Sequence, residues 1–381
     1  MAWTRRLPSG RWQGLYRDPS GRVRTRGSFR RKGDAEHAAE EQEARIRRGQ
    51  WIDPDSARTT FGSYAEGWAA TKGNVRPRTR INVEGRLRNH ILPTFGESAL
   101  AAIRPQDVRA WVAGLTAEGL APSTVKAIYR SFHQVMRTAE IDGYVLRSPC
   151  IGIELPAETT GEEMHFLGPE HVSALASAIA PRFHCAVVTA AYTGLRAGEL
   201  WALKLSRVNL LKRSLGVVES LSEVHGELVT GPTKTRARRS VSVPGFLADL
   251  IGEHIGRYPS PEGYVFTATE GGPVRHRNFM GRHFYPAVVR AGLPEGLRFH
   301  DLRHTCAAIL IGQGWGAKQI QERLGHASIR TTLDRYGHLF EGHDSELLER
   351  LDTIYRAESQ NPAAHMLHGP KTRPPRREAG A

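Results

Sequence analysis

Apolar positions recur every three or four residues over most of this chain and every second residue over only a few short runs, which predicts a mainly α protein with small β elements. Alternation over residues 12–16 and 23–29, interrupted by Asp18-Pro19-Ser20-Gly21, predicts short antiparallel strands joined by a tight turn. A helix rich in Ala and Glu follows over 34–48, with Asp34 placed to cap its first turn. After a polar link over 53–58, Phe61, Tyr64, Ala65 and Trp68 recur at helical spacing. Further helices are predicted over 79–92, 104–115 and 123–141, with Pro77, Pro93, Pro105 and Pro122 marking starts and breaks. This helical unit ends near Ser148-Pro149, and residues 156–163 read as an exposed linker.

From Gly168 onward the pattern mixes types. Helical spacing covers 169–191 and 198–203, β-branched alternation covers 215–218, 228–230 and 240–243, and helices return over 246–256, 278–291, 302–312, 317–324 and 328–336. The last 25 residues, rich in Pro, Arg and Ala, read as a flexible tail. The expected organisation is a small β-sheet plus helix over 1–57, a helical bundle over 58–156, an α+β domain over 157–356 and the tail over 357–381.

Composition narrows the class. Apolar residues are 40% of the 381, enough to bury real cores, so wholesale disorder is excluded. The 53 Lys and Arg outnumber the 39 Asp and Glu, a net charge of +14, and a field of that sign attracts polyanions, nucleic acid first. Ten basic residues and one acidic one, Asp18, lie between Met1 and Lys32, interleaved with Trp3, Trp12, Tyr16 and Phe29, as in a small DNA-binding appendage. No apolar run approaches the roughly 20 residues that cross a bilayer, and the start lacks an apolar signal core, so the expected location is the cytoplasm. Cys150, Cys185 and Cys306 are odd in number and far apart, which argues against disulfides or a cysteine zinc site and reads as three buried thiols.

Four local patterns carry candidate chemistry. In Thr193-Gly194-Leu195-Arg196-Ala197-Gly198-Glu199-Leu200 an arginine sits in a turn between helices, with glycines on either side that let the backbone bend and aim it into a cleft. Lys234, the only lysine between Arg213 and Phe284, lies between two β-patterned runs at the tip or edge of a hairpin, and an ammonium can give up a proton where a guanidinium hardly can. In His300-Asp301-Leu302-Arg303-His304 a proton-transfer group and a phosphate clamp share one helix face. The spacing of His300 and His304 also suits a metal, but Asp301 stands where the zinc proteases carry their Glu. Finally, Gly325 closes one helix, Ser328 caps the next, and Tyr336 lies ten residues beyond His326. Each pattern alone is ordinary: a surface arginine, a turn lysine, a packed tyrosine.

Together, and in this order, they resemble the tyrosine recombinases of the phage-integrase family: an Arg in T-G-L-R-x-G-E, a hairpin Lys, H-x-L-R-H, L-G-H and a downstream Tyr. The resemblance implies a SAM-like core-binding domain for the helical unit, closing with the catalytic domain around duplex DNA like a clamp, and an arm-site-binding module at the N-terminus. It implies a 3′-phosphotyrosyl intermediate on Tyr336. Arg196 and Arg303 would pair with the phosphate oxygens, His300 would assist proton removal, His326 would donate to a phosphate oxygen and Lys234 would protonate the departing 5′-oxygen. Glu199, Asp301 and His304 would orient these groups, while Trp201, Trp315 and His338 read as packing or surface residues. No cofactor or metal is expected. The implied partners are core and arm-type DNA sites, three further copies in a tetramer on DNA, and an accessory bending or excisionase factor. The rival readings are an inactive DNA-binding regulator on the same scaffold and a type IB-like topoisomerase.

Overall fold

A computed structural model of the chain describes residues 2–73, 75–157, 164–233, 238–340, 348–349, 351–353 and 355–356. The expected linker residues Glu158, Thr159, Thr160 and Gly161, the candidate Lys234 and the tail over 357–381 lie outside the described residues. The chain divides into two compact units, Met1–Glu162 and Glu163–Ala381.

The first unit opens with an antiparallel meander, β1 (Trp3–Arg6), β2 (Trp12–Arg17) and β3 (Val23–Phe29), with β2 central, followed by α1 (Lys32–Arg47). The turn between β2 and β3 is held by Asp18, whose carboxylate accepts from Ser20 N and Oγ, Arg22 N and Arg24 Nε; the Ser20 hydroxyl bond leads in lowering its pKa to about 2. Arg24 also bonds Asp53 at 2.8 Å and Asp55 at 2.6 Å, which ties the strand to the polar link. Because α1 begins at Lys32, Asp34 sits inside the first turn rather than at the cap; there its charge faces the positive end of the helix dipole.

The helical part comprises α2 (Phe61–Ala70), α3 (Pro77–Arg86), α4 (Leu92–Phe95), α5 (Pro105–Ala117) and α6 (Pro122–Ile141). Thr60 caps α2 by accepting from Ser63 N. Apolar residues of α6 at helical spacing, Val125, Ile128, Phe132, Val135 and Met136, are buried against a cluster that includes Phe61, Phe95 and Trp111. Pro93 does not break its helix. A π-turn over Leu87–Ile91 precedes it, so the widened backbone absorbs the missing proline N–H.

The second unit runs through α7 (Pro169–Ala178), α8 (Pro181–Thr193) and α9 (Ala197–Trp201), then β4 (Val208–Asn209), β5 (Ser214–Val217), β6 (Glu219–Val224), β7 (Glu227–Pro232) and β8 (Arg239–Ser242). It ends with α10 (Gly245–Arg257), α11 (His276–Phe279), α12 (Tyr285–Arg290), α13 (Asp301–Gly312), α14 (Ala317–Leu324) and α15 (Ile329–Tyr336). A π-turn at Met280–Phe284 ahead of Pro286 repeats the device seen at Pro93. The helical run predicted over 169–191 is two helices, because Pro181 forces Ala180 extended and starts α8. Its core packs Trp201 among Phe266, Phe279 and Phe299.

Two β expectations need correcting. β6 escaped the sequence reading because its Glu-Ser-Leu-Ser-Glu-Val run buries only Leu221. β6 and β7 form their own hairpin, while β8 pairs with β5 in a three-stranded sheet ordered β4-β5-β8. β7 and β8 therefore lie in different sheets, and Lys234, between them in sequence, lies outside the described residues. Cys185 and Cys306 are buried as expected, but Cys150 is only half-buried. The fold class is the expected one: mainly helical, with a small N-terminal sheet, a helical bundle and an α+β C-terminal part.

Candidate active site

α8 ends at Thr193 and Gly194 takes the left-handed conformation, φ +67, where a Cβ would also meet Leu324 Cδ2 at 2.4 Å. This bend delivers Arg196 to the start of α9. Gly198 plays a different part from the one expected: it lies inside α9, and a Cβ there would stand 2.5 Å from Ser220 Oγ and 2.6 Å from Leu221 O, so it serves close approach to β6 rather than bending.

Glu199, 2% exposed, organises the charge. Its carboxylate accepts from Arg196 N at 3.0 Å, Arg196 Nη1 at 3.0 Å, and both terminal nitrogens of Arg239 at 3.1 and 2.7 Å. Burial alone would raise its pKa, yet the pKa is lowered, because the Arg239 hydrogen bonds and charge, together with Arg196, outweigh the cost of burial. Glu199 thus bonds Arg196, the residue it is expected to orient.

A second organiser is the C-terminal end of α14. Three successive carbonyls that the helix cannot satisfy internally each accept from a different arginine: Arg323 O from Arg239 Nε at 3.0 Å, Leu324 O from Arg303 Nη2 at 2.7 Å, and Gly325 O from Arg196 Nη2 at 3.3 Å. The negative end of the helix dipole thus meets three guanidiniums. Arg303, 2% exposed, also donates Nη1 to Gly194 O at 2.6 Å, and burial followed by the nearby Arg196 pulls its pKa down to about 9, still protonated near neutrality. Three buried or half-buried cations face one carboxylate. The surplus charge suits an anion.

Tyr336, the last residue of α15, is 0% exposed, and its hydroxyl shares a 2.8 Å hydrogen bond with His304 Nδ1. The phenol's partner in this state is therefore His304, not His300, to which the sequence reading gave proton removal. His300 stands at the start of α13, its ring 5.1 Å from that of His304. Desolvation, then His304 and the cations Arg303, Arg335 and Arg196, hold His300 at about 4; desolvation likewise holds His304 at about 4 and His326 at about 3. The His326 ring stacks on Tyr336 with centroids 6.4 Å apart, and its Nδ1 bonds Thr332 Oγ1 at 2.8 Å, leaving Nε2 as the nitrogen open to a ligand. Burial raises the Tyr336 pKa while Arg303 and Arg335 oppose it.

Five of the six candidates, Arg196, His300, Arg303, His326 and Tyr336, thus gather where α8, α13, α14 and α15 meet; Lys234 lies outside the described residues. Asp301 departs from its expected role, because its carboxylate bonds Arg298 N at 2.8 Å and the Arg298 guanidinium. Trp201 packs and bonds His276, as expected. The sequence reading missed Arg239, which no motif distinguished from its arginine-rich surroundings, and the direct contact of His304, for which the i, i+4 spacing from His300 was the available signal.

Buried guanidiniums around a carboxylate, in one cluster with a sequestered phenol, leave positive charge to spare for an anionic group. Comparison with known proteins agrees. Residues 165–343 match the phage integrase family and residues 60–116 match the phage integrase N-terminal SAM-like domain. The chain is 32% identical over 369 residues to a prophage phiRv2 integrase of Mycobacterium tuberculosis, covering 93% of this chain and 96% of that protein. It is 28% identical to the integrase of Mycobacterium phage L5 over 91% of this chain and 95% of that one. Among solved structures, the Tn1549 transposon integrase in complex with transposon right end DNA matches in fold with a TM-score of 0.68 at 22% identity, over 77% of this chain and 100% of that chain. A lambda integrase tetramer bound to a Holliday junction matches with a TM-score of 0.57 at 20% identity, over 87% of this chain and 94% of that chain. The chain belongs to the phage integrase family and is a tyrosine-type site-specific recombinase. Among the described residues, no helix is long and apolar enough to cross a membrane.

Proposed function

We propose that this recombinase cuts and rejoins duplex DNA at specific sites through a covalent bond between Tyr336 and a 3′-phosphate, integrating or excising a mobile element. The Tyr336 oxygen attacks the scissile phosphorus as the bond to the 5′-oxygen breaks, and the phosphodiester energy is kept in the new ester. The phenol proton leaves toward the neutral imidazoles His304 and His300, and Lys234 returns a proton to the departing 5′-oxygen. Arg196 and Arg303 pair with the non-bridging oxygens, where charge accumulates in the transition state, and His326 Nε2 donates a further bond. Attack by a 5′-hydroxyl from the second duplex reverses the step. No metal or cofactor enters this scheme. The observation that carries it is the excess of guanidinium charge over the one Glu199 carboxylate, with the charge of Arg303 acting on a Tyr336 hydroxyl that is bonded to His304.

The remaining assignments follow from the same reading. Residues 1–57 contact arm-type sites, and 58–156 and 157–356 contact the core site. Four copies assemble on two duplexes in the cytoplasm, with an accessory bending or excisionase factor setting direction. The test is incubation with a nicked suicide duplex taken from the DNA flanking the gene that encodes the chain, in the presence of EDTA. A gel-stable protein–DNA adduct is expected, and Tyr336→Phe should abolish it. An adduct that persists in Tyr336→Phe, or cleavage that needs a divalent metal, overturns the mechanism.

A further inference from the structure

Arg239 belongs to none of the motifs, yet all three functional nitrogens of its guanidinium are committed within the site: two on Glu199 and one on the Arg323 carbonyl. Its side chain is 9% exposed and that of Arg196 is 23% exposed, so Arg239 is the enclosed member of the pair and Arg196 the one open to a ligand. We infer that Arg239 is a positioning residue for strand cleavage: it locks the Glu199 carboxylate to the C-terminal end of α14, and this cradle sets the place of the Arg196 guanidinium against the phosphate. The inference rests on the reading of Arg196 as a phosphate-binding residue.

The geometry supplies the reason. Glu199 holds Arg196 through a backbone bond at Oε2 and a side-chain bond at Oε1, so each carboxylate oxygen is shared between Arg196 and Arg239. The Arg239 fork adds a planar, bidentate pair to the same two oxygens, which sets the carboxylate plane that Arg196 then meets from its own backbone and side chain. Its Nε bond to Arg323 O then joins that plane to the turn whose next two carbonyls hold Arg303 and Arg196. Arg239 is itself anchored by its backbone, since it starts β8 and pairs with Val217 of β5. It also stands five residues beyond Lys234, so the same anchor fixes the downstream end of the connection that carries the proposed general acid. Lysine cannot reproduce a planar fork with a third donor alongside.

The test is a double-mutant cycle on the nicked suicide duplex from the flanking DNA, with adduct formation followed in single turnover at saturating protein and duplex binding followed separately. In Arg239→Gln the cleavage rate constant should fall about 10- to 100-fold, the scale of an ångström-level misplacement, with DNA affinity unchanged within about twofold. In the Arg196→Ala background the same change should cost less than about threefold more, because the group it positions is gone. Arg239→Lys should fall between Arg239→Gln and the unsubstituted protein. Should Arg239→Gln fail to fold by circular dichroism, Arg239→Lys enters the same cycle under the same criterion. Unchanged cleavage in Arg239→Gln, or an equal factor lost in both backgrounds, overturns the positioning role. Absence of any adduct from the unsubstituted protein removes the recombinase mechanism itself and this role with it, a failure recognisable because it precedes any substitution.

Discussion

At the scale of single residues, the site is built from groups that burial holds in unusual protonation states. His304 is 3% exposed and His326 is 9% exposed, and both are kept neutral, with pKa values near about 4 and about 3 against 6.5 for a free imidazole. In the proposed mechanism a neutral His304 is the acceptor that the phenol proton needs. The same states bear on stability, and the sign follows from proton counting: as pH falls below 6.5 the unfolded chain takes up protons that the native histidines refuse. Stability is full above that value and is lost on acidification toward about 4. Denaturation midpoints at constant ionic strength should therefore decline between about pH 7 and 4.5, and His304→Asn and His326→Asn should each make the decline shallower. A slope that neither substitution alters would mean that both imidazoles take up protons in the folded protein as readily as in the unfolded chain.

At the scale of elements, the end of α14 does what no single side chain does, since three carbonyls on consecutive residues hold Arg239, Arg303 and Arg196. Little of this was legible in the sequence. The motif residues were, because a glycine-bounded arginine, a histidine-rich helix start and a capped final helix are local patterns, and local capping was read correctly at Gly325 and Ser328. Arg239 was not, because its meaning comes from a carboxylate 40 positions away. The sheets were half-legible: alternation located β8, but pairing is a long-range matter and put β7 and β8 in different sheets. The packing of α9 on β6 yields a prediction at this scale. Gly198→Ala would drive a methyl into Ser220 Oγ and the Leu221 carbonyl, and overpacking of this kind costs about 1–3 kcal/mol. Gly256→Ala, in α10 with nothing within 4 Å of the added carbon, is the matched control and should be neutral or slightly stabilising. Thermal melting of the two variants separates the outcomes, and equal melting temperatures would refute the close-approach argument.

At the scale of the whole molecule, charge works in two regimes. The +14 net charge, with ten basic residues against one acidic residue in the first 32, is largely a surface property. Affinity that comes from neutralising phosphates falls steeply with salt, by about 10³-fold or more between about 50 and 200 mM if six or more phosphates are engaged. The guanidiniums of the proposed active site are of the other kind, because Arg303 and Arg239 are buried against carbonyls and Glu199, where mobile ions screen poorly. Salt should therefore separate binding from chemistry. Fluorescence anisotropy on flanking-site DNA should give a steep log–log decline in affinity, while the single-turnover cleavage rate at saturating protein should change by less than about threefold over the same range. Were the two to fall together, the catalytic charges would have to be solvent-accessible, and the cradle at the end of α14 would not be what holds them.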